Sequence, residues 1–317
     1  MKLTINSMVE SYPRLIALIG SSGSGKSALA HKLALTFDCE IFSLDSLSIY
    51  QEIDIASAKP TLQEQNEVCY YALNILKPDQ PSNAMLFKNL LEQSIIDSRA
   101  KGKKVLLIVG GSSFFLKSII EGLSPMPQIL PNHKEKVQSI GDLNAKYMLL
   151  NTLDSVYAQK ITPKDTYRVE KALEIYFATN CAPSVYFASH PKVPFAYPIE
   201  IFCIHWERET LRKRIAQRTA KMMEQGIIEE AKKLWQHYES QAPALQCIGI
   251  KECIAFLESR ISSIKELEEM IFCHTCQLAK RQRTFNRTQF SRITHDEFDE
   301  IEKKLSLRIR EIIDNKY

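Results

Sequence analysis

Residues 14–37 read RLIALIGSSGSGKSALAHKLALTF. A short apolar run is followed by a segment of glycine and serine, and then by a run with apolar residues at helical spacing. This order predicts a strand, a tight loop and a helix. The stretch therefore predicts one strand–loop–helix unit near the start of the chain.

The loop of this unit matches the pattern G-x-x-x-x-G-K-[ST] in full. Glycines let backbone N–H groups curl around phosphate oxygens, and the start of the following helix adds partial positive charge. We expect Lys26 to neutralise the outermost phosphate and the Ser27 hydroxyl to ligate Mg²⁺. The pattern specifies only a phosphate group, so ATP, GTP and a prenyl diphosphate fit it equally. The predicted phosphate-binding residues are Gly20, Ser21, Ser22, Gly23, Ser24, Gly25, Lys26 and Ser27.

The rest of the chain alternates between predicted strands and helices. Strands are predicted at Glu40–Leu44, Val105–Val109 and Glu200–His205, and helices at Lys88–Arg99 and Ser113–Glu121. The uninterrupted apolar run of residues 105–109 is typical of a strand buried on both faces, as in parallel sheets. This alternation predicts an α/β fold, with a P-loop NTPase-like parallel sheet flanked by helices.

Breaker-rich segments predict the domain boundaries. Residues 122–131 contain one glycine and three prolines, residues 134–177 have mostly helical spacing, and residues 182–198 are loose and proline-rich. We therefore predict a small all-helical insertion domain at 123–198, between core segments 1–122 and 199–317. From Arg208 to the end the pattern is helical throughout.

Two polar turns follow predicted strands. In a parallel sheet the carboxyl ends of strands face the ligand crevice, so Asp45 and Ser112 are expected near the phosphate loop. Asp45 would hold Mg²⁺ through water or accept a proton from a nucleophile, or else cap the next turn. Ser112 follows Gly110-Gly111, where the backbone permits close approach. Its hydroxyl would face the ligand, or Ser112 or Ser113 would cap a helix.

Composition excludes several classes of protein. The net charge of +4 over 317 residues is too small to indicate a polyanionic partner by itself, so only local clusters can do so. The eight cysteines are scattered, and Cys273-x-x-Cys276 lacks the second half of a zinc site. No secretory signal or membrane-spanning run is present. We expect a cytoplasmic, reduced, monomeric protein with no membrane partner.

Two basic stretches are candidate phosphate and RNA contacts. Arg214 and Arg218 are four residues apart on one predicted helix face, where they could clamp a leaving pyrophosphate. Residues 277–287 read QLAKRQRTFNR, without an acid and with amides among the cations, which suits contacts with RNA. Either stretch could instead form a solvated basic helix face.

Taken in order, several blocks resemble the tRNA dimethylallyltransferases, also called tRNA isopentenyltransferases. The resemblance runs from the phosphate loop to Arg287, over most of the chain. The matching blocks after the loop are SLDSLSIYQEIDIASAKPT, GGSSFFLKSIIEGLSPMP, TPKDTYRVEKALEIY, LRKRIAQRTAKMMEQGIIEEAKKL, QCIGIKE and QLAKRQRT.

The resemblance implies transfer of the dimethylallyl group of dimethylallyl diphosphate to N6 of the adenine just 3′ of the anticodon (tRNA position 37). The phosphate loop would bind the diphosphate and Mg²⁺ instead of ATP. Asp45 would be the general base, Ser112 would position adenine or diphosphate, and Arg218 or Arg214 would steady the leaving group. The implied contacts with the tRNA anticodon loop are Asp45, Ser46, Leu47, Ser48, Tyr167, Arg168, Lys171, Gln246, Lys251, Lys280, Arg281, Gln282 and Arg287.

A few positions differ from the family pattern. Phe285 stands at the family's usual tryptophan, Asn286 at a usual aromatic or aliphatic residue, and Cys276 at a usual arginine. Two other functions fit parts of the sequence. A small-molecule or nucleotide kinase would use the phosphate loop and Asp45, and a non-catalytic RNA-binding module would use the basic stretch.

Overall fold

The computed structural model describes residues 12–239 and 241–314. In this part of the chain, six strands form one parallel sheet in the order β3-β2-β4-β1-β5-β6. The predicted α/β fold with a parallel sheet flanked by helices is confirmed. The strands are β1 (Arg14–Gly20), β2 (Glu40–Ser43), β3 (Tyr70–Tyr71), β4 (Val105–Gly110), β5 (Ile199–His205) and β6 (Thr294–Glu297).

Fourteen α-helices and one 3₁₀ helix occur in the described residues. The α-helices are α1 (Lys26–Phe37), α2 (Leu62–Glu67), α3 (Ala84–Ala100), α4 (Ser113–Glu121), α5 (Pro131–Gln138), α6 (Leu143–Leu153), α7 (Ser155–Ala158), α8 (Thr166–Thr179), α9 (Pro183–Ser189), α10 (Arg208–Glu224), α11 (Ile227–His237), α12 (Ile250–Leu257), α13 (Ile264–Gln289) and α14 (Phe298–Ile313). The 3₁₀ helix is Pro243–Gln246.

The register of the sheet brings the polar turns together. Ile19 of β1 pairs with Gly110 of β4, and Ser43 of β2 pairs with Val109. Strands in register end at the same edge of a parallel sheet, which is where such folds bind ligands. The phosphate loop, the turn at Asp45 and the Gly110-Gly111 turn therefore lie side by side.

Described residues of Met1–Ile120 with Ala196–Tyr317 form one compact unit, and Glu121–Phe195 forms a second. The core of the first unit packs α1 and α14 against the sheet, through buried side chains such as Leu33 and Leu305. The second unit has its own core, with Val169 and Leu173 of α8 buried completely. No helix within the described residues is long and apolar enough to cross a membrane.

Two local predictions were wrong. The C-terminal region is not helical throughout, because Thr294–Glu297 forms the edge strand β6, whose polar sequence THDE has no apolar run. Backbone pairing with β5 specifies this strand. The segment 182–198 contains a helix, α9, which begins with Pro183 at a position where the missing N–H costs nothing.

Candidate active site

The phosphate loop connects β1 directly to α1 and is shaped by two glycines in the left-handed region. Gly23 has φ 80° and Gly25 has φ 88°, a backbone conformation that favours glycine. Gly25 is also the N-cap of α1, and no side chain caps this helix end. The N–H groups of the first turn of α1 are thus left for an anion, with the favourable end of the helix dipole behind them.

Gln282 of α13 ties the loop to the neighbouring glycine turn. Its Oε1 accepts a 2.8 Å hydrogen bond from the Ser22 N–H, and its Nε2 donates a 3.0 Å bond to the Gly111 carbonyl. A Cβ on Gly111 would lie 2.5 Å from Nε2, so glycine is needed for this approach. Gln282 was predicted to contact tRNA, but in this structure both ends of its amide are used within the protein.

Trp206 and Arg214 support the outer side of the loop. The indole Nε1 of Trp206 donates a 2.9 Å bond to the Ser24 carbonyl, and Nε of Arg214 donates a 2.9 Å bond to the Gly23 carbonyl. The guanidinium of Arg214 also lies 4.8 Å from the centre of the Trp206 ring, in cation–π contact. Arg214 therefore holds the loop in shape.

Arg218 is turned differently. Its Nη1 donates a 2.7 Å hydrogen bond to the Ser22 hydroxyl. Its Nε is shielded from solvent and has no hydrogen-bond partner among the described residues. Burial lowers the pKa of Arg218, while the charge of Asp45 acts in the opposite direction. A cation with unused donors beside the loop is suited to a bound anion.

Lys26 is buried at the first position of α1. Burial lowers the pKa of its ammonium group from 10.5 to about 8, with a further lowering by Arg218 that Asp45 opposes. The charges of Lys26, Arg218 and Asp45 thus influence one another. A doubly charged phosphate placed here would stabilise the protonated amine, because an opposite charge favours the charged form.

Asp45 opens into the same cavity as Lys26. This cavity of about 240 Å³ is also lined by Ser27 and Gly110. The Oδ1 atom of Asp45 accepts bonds from the N–H groups of Leu47, at 2.9 Å, and Ser48, at 3.4 Å. One carboxylate oxygen of Asp45 therefore caps the following turn, which is the capping alternative that the sequence left open. The Asp45 carboxylate and Lys26 of the phosphate loop thus line one space.

Ser112 anchors the turn that carries Asp45. Its hydroxyl accepts a 3.1 Å hydrogen bond from the Ser46 N–H, while its backbone carbonyl accepts the N–H groups of Phe115 and Leu116 in the first turn of α4. Position 110 has no room for a side chain, because a Cβ there would lie 1.9 Å from the Leu44 carbonyl oxygen. Ser112 and Gly110 thus contact Ser46 and Leu44, the two chain neighbours of Asp45, and hold its backbone in place.

The remaining predicted tRNA contacts lie on several elements. Ser46, Leu47 and Ser48 follow Asp45 in its turn, and Ser48 is buried in the wall of the cavity. Residues on the surface of the first unit are Gln246, Lys251, Lys280, Arg281 and Arg287, all of them exposed. Tyr167 and Arg168 are exposed on α8 of the second unit, and Lys171 forms an ion pair with Glu174 there.

The sequence model of the IPP transferase family matches residues 48–289 of this chain, which is more than half of it. The chain belongs to the IPP transferase family. The relatives of this IPP transferase include a Helicobacter hepaticus protein named tRNA dimethylallyltransferase. That protein is 58% identical over 297 residues, or 93% of this chain and 98% of the relative. A Wolinella succinogenes protein of the same name is 45% identical, over 91% of this chain and 97% of the relative.

Solved structures agree with this family membership. A tRNA isopentenylpyrophosphate transferase from Bacillus halodurans aligns with a TM-score of 0.67 at 25% identity, over 96% of this chain and 97% of that protein. A eukaryotic dimethylallyltransferase described as acting on tRNA aligns with a TM-score of 0.75 at 26% identity, over 86% of this chain and 69% of that protein.

The structure also accounts for two departures of this IPP transferase from the family pattern. Cys276 packs against a small apolar cluster that includes Ile215 and Ala279. Asn286 is buried, and its Nδ2 donates a 3.6 Å bond to the Cys203 thiol. No group of three or more metal-ligating side chains occurs among the described residues.

Proposed function

We propose that this IPP transferase moves the dimethylallyl group of dimethylallyl diphosphate onto N6 of the adenine at tRNA position 37. The observation that carries the proposal is the single cavity that holds Lys26 and Ser27 of the phosphate loop together with Asp45. An anion site and a carboxylate in one space allow a leaving diphosphate and an amine nucleophile to meet.

The diphosphate would lie in the phosphate loop. The uncapped first turn of α1 and the Lys26 ammonium would bind its oxygens. The exposed Ser27 hydroxyl and the Asp45 carboxylate are hard oxygen donors of the kind that Mg²⁺ prefers. They are too few to enclose a metal ion, so Mg²⁺ would be held jointly with the diphosphate and water, as is usual for this ion. Bound Mg²⁺ would neutralise diphosphate charge.

Asp45 would act as the general base. The lone pair of an exocyclic amine is conjugated with the purine ring, so the amine becomes a better nucleophile as it loses its proton. The Asp45 Oδ1 atom is occupied by two backbone N–H groups, which fixes the carboxylate plane. The other oxygen, Oδ2, accepts no hydrogen bond from the described residues and is the atom we assign to the proton.

Arg218 would stabilise the departing pyrophosphate. As the allylic carbon–oxygen bond breaks, positive charge spreads over the allyl group and negative charge collects on the leaving oxygens. Arg218 lies against Ser22 and keeps its Nε free for such an oxygen, whereas Arg214 is committed to the Gly23 carbonyl. The transition state gains most from fixed donors of this kind.

The tRNA would approach along the exposed cations of α13. Lys280, Arg281 and Arg287 project into solvent, and phosphate contacts of this type position an RNA without reading its sequence. The target adenine must leave its stack to reach the cavity, which costs less in a loop than in a duplex.

The proposal is tested by incubating the protein with unmodified tRNA, dimethylallyl diphosphate and Mg²⁺ without ATP, followed by mass analysis of the nucleosides. We expect N6-isopentenyladenosine to form. Absence of prenylated adenosine, combined with ATP consumption on addition of a small metabolite, would instead identify a kinase.

A further inference from the structure

A carboxylate outside the cavity holds three successive backbone N–H groups in the segment that leads into the cavity wall. Glu230, in the first turn of α11, accepts hydrogen bonds from the N–H groups of Asp54 and Ile55, both 2.8 Å, through Oε2. Its Oε1 accepts a 3.0 Å bond from the Ala56 N–H. Hydrogen bonds to an ionised carboxylate are about twice as strong as neutral ones.

The segment bound in this way continues directly into the cavity. Ser57, Ala58 and Lys59 line the same space as Asp45. The Lys59 side chain is only 2% exposed. Its Nζ donates to the Tyr50 carbonyl at 2.9 Å and to Asn74 Oδ1 at 2.7 Å. Any displacement of residues 54–56 would therefore also move Ser57, Ala58 and Lys59, which line the cavity together with Asp45.

Other ties hold this loop as well, among them a 2.7 Å bond from Lys59 Nζ to Asp54 Oδ1. Ser46 is bound to Ser112 at the start, and Lys59 closes the end. Between them, the three N–H groups of residues 54–56 point out of the loop towards α11, and Glu230 is the acceptor that the structure provides for each. Its place in the first turn of a helix favours the negative charge that these bonds need.

We infer that Glu230 is a positioning residue for the proposed prenyl transfer. By fixing residues 54–56 against α11, its carboxylate holds Ser57 and Lys59 at the distance from Asp45 that the purine and the diphosphate require. The inference rests on the proposed function. It concerns the cavity wall and not the phosphate loop, which is held separately by Gln282, Trp206 and Arg214.

The test compares Glu230→Gln with Glu230→Asp, and with Glu229→Gln as a matched control on the same helical turn. Glutamine keeps the size but replaces one acceptor oxygen by a donor, which would face a backbone N–H. We expect Glu230→Gln to slow single-turnover prenyl transfer by ~100-fold per folded molecule, since misplacement by about 1 Å can cost this much. Pyrophosphate affinity should stay unchanged, Glu230→Asp should recover part of the rate, and Glu229→Gln should match wild type.

Hydrogen exchange provides a readout that does not depend on activity. We expect Glu230→Gln to speed amide exchange in residues 54–56 and to leave residues 20–27 unchanged. Unaltered exchange at 54–56, or a transfer rate per folded molecule equal to wild type, would overturn the inference. A parallel loss of pyrophosphate affinity and rate would also overturn it, because the defect would then lie in the phosphate loop. If wild-type protein transfers no prenyl group, the proposed function fails, and exchange alone still decides whether Glu230 anchors the wall.

Discussion

The Nη1 atom of Arg218 lies 2.7 Å from the hydroxyl oxygen of Ser22, so the guanidinium of α10 is fixed against the phosphate loop. Arg214, one turn earlier, is bound to the Gly23 carbonyl and stacked on Trp206. The two arginines thus share a helix face but have different partners. This difference is the basis of our proposal that Arg214 supports the loop and that Arg218 meets the leaving anion.

The first prediction compares Arg218→Lys with Arg214→Lys. Lysine keeps the charge but not the planar set of donors, so Arg218→Lys should lower the transfer rate at saturating dimethylallyl diphosphate by ~100-fold. Arg214→Lys should mainly raise the KM for the diphosphate. Steady-state kinetics of both variants would measure the two effects. A larger loss of saturated rate in Arg214→Lys would reverse the assignment.

The second prediction concerns the cost of burying Lys26. Its pKa in the folded protein is about 8, below its ordinary 10.5, so the unfolded chain binds the extra proton between these pH values. The free energy of unfolding should therefore rise with pH across this window, and the destabilising effect should be fully present below pH 8. We expect Lys26→Met to raise the free energy of unfolding at pH 7 by up to about 3 kcal/mol and to abolish pyrophosphate binding.

Chemical denaturation of wild type and Lys26→Met at pH 7 and pH 10, without ligand, checks this prediction. The stability difference between the two proteins should shrink at the higher pH. A variant that is less stable than wild type at pH 7 would contradict it.

The third prediction separates the contribution of Asp45 to its turn from its proposed role as the general base. Asparagine still offers an oxygen to the Leu47 N–H, so Asp45→Asn preserves the turn while removing the base. Transfer should slow by ~1,000-fold, within the range for loss of a general base, while tRNA affinity stays close to wild type. Single-turnover rates and tRNA binding titrations measure the two quantities. Comparable losses in both would show that Asp45 binds tRNA and does not act as a base.

The fourth prediction distinguishes the neighbours Gln282 and Arg281. Gln282→Leu removes the bonds to Ser22 and Gly111, so pyrophosphate affinity should fall ~10-fold, as expected from the loss of one or two net hydrogen bonds. Arg281→Gln should leave that affinity unchanged, weaken tRNA binding and reduce its dependence on salt. Pyrophosphate inhibition and tRNA titrations at several salt concentrations would test this. If Gln282→Leu altered only tRNA binding, the bridging role would be wrong.

The sequence predicted those features of the site that depend on neighbours along the chain. Gly20–Ser27 has a local pattern with one structural solution, and Asp45 follows a strand whose end must face the crevice. Gln282 and Glu230 differ, because their partners lie far away along the chain, at Ser22 and Asp54. Only the packing of α13 and α11 brings these residues to the loop and the cavity wall. No local sequence pattern identifies the Gln282 amide or the Glu230 carboxylate as part of the site. The edge strand β6 was missed for a related reason, since backbone pairing forms it without apolar residues.

The most direct test of the proposed prenyl transfer is the yield of two products from one reaction. Purified protein would be incubated with unmodified tRNA, dimethylallyl diphosphate and Mg²⁺, without nucleotides, and both inorganic pyrophosphate and N6-isopentenyladenosine would be quantified. If the phosphate loop holds the diphosphate of the prenyl donor, the two products should appear in equal amounts and should vanish together in Lys26→Met. Product formation only after ATP is added, or pyrophosphate release without modified adenosine, would contradict the account.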